Sequence, residues 1–170
     1  AMVMGHHGEH FCAGANIAAI LQFCENKDWK GLEKTVKIFQ DLTQKIRFSK
    51  APVVAAPFHL ALGGGFEFIA PTAKRISSAE LYIGAVEVGL GLIPGAGGNL
   101  RLVLNLMGNA GKTGRLNVFP LVQKAFETIG FAKVATSAEE AKYLGYLLKS
   151  DTVVMNLDHL LWTAKQTALE

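Results

Sequence analysis

Cysteine is nearly absent from this sequence. Cys12 and Cys24 are the only two, and their spacing matches neither a metal knuckle nor a redox pair. A disulfide scaffold and a zinc module are therefore set aside in favour of a reduced intracellular protein. Charge is also sparse: 17 basic and 14 acidic residues leave a net charge of +3. That balance could help attract an anionic ligand, but it is too weak to argue for nucleic acid. No long uninterrupted apolar run is present. The stretch from Ala51 to Pro71 comes nearest, and Pro52, Pro57, His59, three successive glycines and Glu67 break it, so no membrane-spanning helix is expected. The first residues lack a basic start followed by a long apolar run, so no secretory leader is expected either. Repeats and low-complexity linkers are missing too. What remains is a chain of 170 residues, half of them apolar. That length suits one domain with a good core, or one domain and a helical appendage.

The local patterns alternate short strands with helices. Residues 1–5 read as a short buried strand, followed by the polar loop Gly5-His6-His7-Gly8-Glu9-His10. From Lys30 to Phe48, Leu32, Val36, Phe39, Leu42 and Ile46 recur at helical spacing among charged residues and predict an amphipathic helix. Val53 to Ala56 reads as a buried strand. Gly63-Gly64-Gly65 leads into a short helix that Pro71 and Thr72 end. Strands are expected at Arg75–Ser77 and Leu81–Ile83. A glycine-rich turn from Gly89 to Gly98 then opens a helix over about Asn99 to Leu106. Ser137-Ala138-Glu139-Glu140 has the pattern of a capping box. Asn156 is placed to cap a final helix that buries Leu157, Leu160, Leu161 and Ala164.

Two features carry possible chemistry. The three glycines before a helix read on their own first as a tight turn at a close backbone crossing, and second as a set of free amides suited to an oxyanion or phosphate. Glu67 lies among Phe66, Phe68 and Ile69, and Glu87 among Val86, Val88 and Leu90. Glutamates in apolar company either point to solvent from an edge or sit buried, where their pKa rises toward useful acid–base values. Two such acids, each beside a glycine-rich turn, favour a site. Gly108-Asn109-Ala110-Gly111-Lys112-Thr113 invites a phosphate-loop reading, but Leu106 stands where that loop needs its first glycine. His6, His7 and His10 lack companions at metal-ligand spacing and read as exposed loop residues, so no metal is expected.

Taken together, the motifs resemble the crotonase (enoyl-CoA hydratase/isomerase) superfamily. Gly8-Glu9-His10-Phe11-Cys12-Ala13-Gly14-Ala15-Asn16-Ile17 is similar to its first oxyanion-hole segment. Leu60-Ala61-Leu62-Gly63-Gly64-Gly65-Phe66-Glu67 is similar to its second. Val86-Glu87-Val88-Gly89-Leu90-Gly91-Leu92-Ile93-Pro94-Gly95-Ala96-Gly97-Gly98 resembles the strand and loop that carry its other glutamate. These motifs cover about residues 1–106. Downstream, residues 125–129, 132–141 and 155–158 resemble the hydratase half of bacterial fused 3-hydroxyacyl-CoA dehydrogenases of fatty-acid β-oxidation.

The resemblance implies an α/β, crotonase-like ββα spiral lacking its opening strands, with C-terminal helices. A core would span 1–108 and a helical part 109–170. It further implies an enoyl-CoA hydratase, a lyase acting on an acyl-CoA thioester. The amides of Ala15 and Gly64 would polarise the thioester carbonyl. Glu67 would deprotonate the attacking water, Glu87 would protonate Cα, and the Gly95 amide would help place the water; the two glutamate roles could be swapped or shared. Ala13, Asn16, Ile17, Leu60 and Gly63 would line the substrate. Hydration needs no cofactor, and NAD would belong to the dehydrogenase half, which is absent from this sequence. The family's habits imply a homo-oligomer, here in the cytoplasm, with neither nucleic acid nor membrane as partner. An isomerase or a non-catalytic CoA-binding module is the alternative, and having both glutamates favours hydration. Two departures stand out: Asn16 where an Asp is common, and Pro57-Phe58-His59-Leu60 in place of an Asn-Gly turn. Because Ala1 enters an apolar run directly and Glu170 closes an unfinished helical pattern, an excised piece with little activity of its own is expected.

Overall fold

A computed structural model describes residues 1–111 and 117–170. Lys112 and Thr113 of the phosphate-loop-like stretch therefore lie outside the described residues. The chain runs β1 (Met2–Met4), α1 (Ile17–Glu25), α2 (Trp29–Arg47), β2 (Val53–Ala55), β3 (His59–Leu62) and α3 (Gly64–Ile69). It continues through β4 (Lys74–Ser78), β5 (Leu81–Gly84), a 3-10 turn (Glu87–Leu90) and α4 (Gly98–Ala110). The last part holds α5 (Phe119–Gly130), α6 (Ala138–Leu144), β6 (Thr152–Val154), a second 3-10 turn (Leu157–His159) and α7 (Leu160–Leu169).

Every strand pairing between these elements is parallel. One sheet has the order β1-β2-β4-β6 and a second pairs β3 with β5. An isolated parallel bridge between Cys12 and Ala61 adds the segment before α1 to the second sheet. The order in both sheets follows the chain, so successive turns stack on one another. The first turn gives β1 and the Cys12 segment, the second β2 and β3, the third β4 and β5, the fourth β6. Strand, strand, helix is thus the repeating unit of a spiral. Parallel strands buried on both faces need continuous apolar residues rather than alternation, and Val53-Val54-Ala55 supplies them.

Two clusters fill the spiral. Ala55, Ala61, Phe66, Ile69, Leu81 and Ile83 pack with Leu102 and Leu106 of α4 and with Ala125, Ala141, Tyr146 and Leu147 from the later helical region. Val54, Ala56, Phe58 and Ile76 pack against Leu160, Ala164 and Ala168 of α7. Each large aliphatic side chain so enclosed contributes about 1.5–3 kcal/mol. A buried ion pair crosses from β4 to the start of β6: Arg75 Nε donates to Asp151 Oδ2 at 2.7 Å. Asp151 also accepts from the Leu148 amide at 2.7 Å, and Arg75 Nη1 donates to the Ala70 carbonyl at 3.0 Å.

Several elements differ from the sequence expectation. β1 lies at the edge of its sheet and leaves Met2 half exposed, so it is not buried. Glu87 sits on a 3-10 turn and not on a strand. In the final helix Leu160 and Ala164 are buried, whereas Leu157 and Leu161 are 40% and 37% exposed, because Asn156 first caps a 3-10 turn that rotates the apolar face. The capping box is also displaced. Ser137 Oγ accepts from the Glu140 amide at 3.2 Å, but Glu140 reaches back to the amide and hydroxyl of Thr136.

Candidate active site

The site is built where the first two turns of the spiral meet. Segment 11–12 is laced along β3: the Phe11 amide donates to Phe58, the Cys12 amide to Leu60, and the Leu62 amide back to Cys12. Gly14, with φ at +102°, turns the chain, and a Cβ there would meet the Leu62 carbonyl at 3.1 Å. The following amide, that of Ala15, is thereby brought against the glycine run. Its nitrogen lies 3.8 Å from where a Cβ on Gly64 would stand. Among the described residues, neither the Ala15 nor the Gly64 amide donates to a protein acceptor. Gly64 is the first residue of α3, whose amide has no intrahelical partner.

The two readings of the glycine run are both physically present. Gly65 is the close crossing, since a Cβ on it would stand 2.7 Å from the Cys12 carbonyl oxygen. Gly63 has φ at +53°, and a Cβ on it would stand 3.1 Å from Glu87 Oε1. The glycines therefore let two backbones and one carboxylate approach at a single place.

Glu67, on α3, is buried. Its Oε1 accepts from the Ala96 amide at 2.8 Å and from the Gly98 amide at 2.7 Å. Burial raises its pKa, and the amides of Gly98, Ala96, Gly95 and Gly97 offset part of that rise. Glu87 is half buried, and its Oε2 is fully enclosed with no hydrogen-bond partner. Burial raises its pKa too; its own amide opposes, the charge of Glu67 adds to the rise, and the Val86 amide opposes. The two carboxyls are thus electrostatic neighbours in unlike settings. One is held by the loop amides and the other lacks a partner on one oxygen. Groups so arranged are suited to hold and relay a proton.

Of the remaining residues singled out in the sequence, Gly95 is on the same loop as the Glu67 donors, and Leu60 and Gly63 are on the β3–α3 corner. Ala13 and Ile17 flank the Ala15 amide and are exposed. Asn16 is engaged as the cap of α1, accepting from the Ala19 amide at 3.2 Å. An open groove of about 730 Å³ runs along α2, lined by Trp29, Leu32, Val36 and Gln40 among others, and includes neither glutamate. It reaches the site through Val36, whose Cγ1 would be 3.7 Å from a Cβ on Gly95.

Tyr146 was not among the expected residues. Its hydroxyl donates to the Lys133 carbonyl at 2.7 Å and accepts from the Ala85 amide at 3.2 Å, two residues before Glu87. Its ring meets that of Phe66 edge to face at 4.9 Å. Burial, opposed by the Ala85 amide and reinforced by the Glu87 charge, pushes the hydroxyl up to about 12. The only sequence signal was a tyrosine inside the apolar run Leu144–Leu148.

The parallel spiral and this carboxylate–amide arrangement define a crotonase-type protein. The enoyl-CoA hydratase/isomerase family profile matches residues 1–167, and the chain belongs to that family. It is 42% identical over 169 residues to the "Probable 3-hydroxyacyl-CoA dehydrogenase" of Bacillus subtilis, covering 98% of this chain and 20% of that protein. It is 35% identical over 101 residues to the crotonyl-CoA hydratase of Syntrophomonas wolfei, covering 59% of this chain and 37% of that protein. The crystal structure of an enoyl-CoA hydratase from Bacillus anthracis superimposes with a TM-score of 0.77 at 28% identity, covering 98% of this chain and 56% of that one. The chain thus has the crotonase fold with C-terminal helices, and spans about a fifth of the B. subtilis relative.

Proposed function

We propose that this chain carries a hydratase centre that adds water across the 2,3-double bond of a 2-enoyl-CoA thioester in fatty-acid β-oxidation. The observation that carries the reading is the pair of enclosed carboxyls, Glu67 and Glu87, beside the unpaired amides of Ala15 and Gly64. In this reading the thioester oxygen sits between those amides. Glu67 takes a proton from water as its oxygen bonds to Cβ, and the π electrons move onto the thioester oxygen. The amides stabilise that enolate, and a pre-aimed donor contributes about 3–4 kcal/mol. Glu87 then gives its proton to Cα and the carbonyl re-forms. Water is consumed and no redox cofactor takes part. The likeness to a protein named as a dehydrogenase, of which this chain covers a fifth, supports a place in a larger bifunctional chain, whose other half would use NAD.

The test is to make Glu67→Gln and Glu87→Gln in the full-length protein and follow crotonyl-CoA hydration. Each variant should lose at least about a hundredfold in kcat, with binding of the CoA ester little changed. Near-full turnover in both would overturn the assignment. Hydration lost in both with double-bond migration retained would identify an isomerase instead.

A further inference from the structure

We propose that Thr43 and Gln40 of α2 are positioning residues for Glu67, acting through the loop 95–98; the inference rests on the reading that Glu67 handles the water. Four consecutive peptide units, 94–95 to 97–98, bear on the Glu67 carboxyl with their N–H groups; the carbonyl of the first accepts from Asn99 Nδ2 at 3.2 Å, and the other three are 95–96, 96–97 and 97–98. The Ala96 and Gly98 amides donate to Oε1, and the Gly97 amide lies close enough to stabilise the charge. A trans peptide is planar, with its C=O opposed to its N–H. Whatever holds the carbonyl side therefore fixes the aim of the N–H side.

Each of the three carbonyls has its own donor. Gln40 Nε2 donates to Gly95 O at 2.9 Å, and Thr43 Oγ1 shares its one proton between Ala96 O at 2.8 Å and the Gln40 carbonyl of its own helix at 2.9 Å. The Arg101 amide, in the first turn of α4, donates to Gly97 O at 3.1 Å. The third brace is ordinary helix geometry. The other two are side chains of a helix 53 to 55 residues earlier in the chain, on the stripe that also holds Phe39 and Ile46. Thr43 is only 4% exposed, in a stripe where an aliphatic residue would satisfy packing as well. The buried hydroxyl reaches the loop carbonyl as well as the Gln40 carbonyl of its own helix, and so ties the loop to α2. Hydrogen bonds on both sides of one peptide also polarise each other, so the Gln40 brace strengthens the Ala96 donor that Glu67 receives, while Thr43 holds the plane of the next peptide.

The charged surroundings leave this effect room to show. Among the described residues, the ionisable group tied to Glu67 from the neighbouring elements is Glu87, on its 3-10 turn, whose own pKa the Glu67 charge raises. α2 presents the neutral Gln40 and Thr43, with Phe39 against Phe68 at 5.3 Å. α4 presents Gly98, and its Arg101 is coupled to Arg47 rather than to either glutamate. Burial raises the pKa of Glu67 and the loop amides restrain the rise. Slackening the amides must therefore raise it further.

The experiment uses the full-length protein with Thr43→Val, Gln40→Leu and the double variant. Glu67 is titrated by carbon-13-edited infrared spectroscopy of labelled carboxyls and assigned with Glu67→Gln; kcat/KM is measured across pH in parallel. The Glu67 titration is expected to move up by roughly half to one pH unit in the double variant, and Thr43→Ser to restore it. The acid limb of kcat/KM should move with it, with kcat reduced about tenfold and KM nearly unchanged. A merely structural threonine would lower the melting temperature and leave both titrations in place, and that result overturns the inference. Should Thr43→Val not fold, Gln40→Leu, on an exposed side chain, carries the same test alone. If the Glu67 titration moves while hydration is absent from the unmodified protein, the positioning role stands and the hydratase reading falls.

Discussion

Gly98→Ala is the substitution that most directly probes how tightly Glu67 is held. A Cβ at that position would lie 3.0 Å from both Cγ and Oε1 of Glu67 and 3.3 Å from Phe66 Cε1. Carbon contacts are comfortable at about 3.5–4.0 Å, so the carboxyl must retreat by roughly half an ångström. It would retreat from the amides of Gly98 and Ala96, which now donate at 2.7 and 2.8 Å. Phe66 cannot move aside freely, because its ring is packed against Tyr146. A 1 Å misplacement of a catalytic group costs about a hundredfold, so half of that predicts about a tenfold loss in kcat. Stability should fall only modestly. Alanine gains about 0.4–1 kcal/mol by restricting the unfolded chain, against roughly 1–3 kcal/mol for overpacking, which leaves a net loss of about 0–2.6 kcal/mol. The assay is steady-state hydration of crotonyl-CoA, read from the lost ultraviolet absorbance of the conjugated thioester, beside a thermal melt. Gly130→Ala is the control, since a Cβ there meets nothing within 4 Å; it should keep full activity. Unchanged kcat and an unchanged acid limb in a folded Gly98→Ala protein would show that the loop has slack, refuting the claim that it sets the carboxyl.

Two further outcomes follow from the buried charges. Glu67 has a folded pKa above its ordinary 4.5, so the folded state binds more protons than the unfolded one between 4.5 and the raised value. Stability contributed by this group is therefore lost as pH rises through that window. Glu67→Gln, whose amide oxygen can still accept from Ala96 and Gly98, should melt higher than the unmodified protein at pH 7, and the gain should vanish below pH 4.5; an equal gain at both pH values would contradict the argument. Asp151→Asn removes the counter-charge of the enclosed Arg75 guanidinium and turns an NH2 group toward donors that Asp151 now accepts from. It should cost about 3–5 kcal/mol, read as a fall of roughly 6–20 °C in melting temperature for a chain of this size; a fall under about 2 °C would mean that Arg75 finds another partner.

The parts of the site that could be read from sequence are those in which residue type alone restricts the backbone or the charge. Gly63, Gly64 and Gly65 announced a close approach, and Glu67 and Glu87 stood out because a carboxylate among apolar residues is expensive without a purpose. The amphipathic stripe of α2 was visible for the same reason, and the structure starts and ends that helix within one residue of the expected bounds. α1 escaped notice because Ile17 to Glu25 carries one charge, so no polar face marks the helical period. β6 has three residues, too few for any period to show. The carbonyl braces were invisible for a different reason. Threonine at position 43 and glutamine at position 40 are ordinary residues on a helix, and their meaning lies in the carbonyls they meet more than fifty residues later. Sequence pattern reports a residue's demand on its own segment; it does not report a demand made on a distant loop. The same holds for Tyr146, whose hydroxyl joins Lys133 to Ala85. The glutamates could be found because burial makes them costly. The groups that set their geometry are neutral, and their partners come from stacking one turn of the spiral on the next.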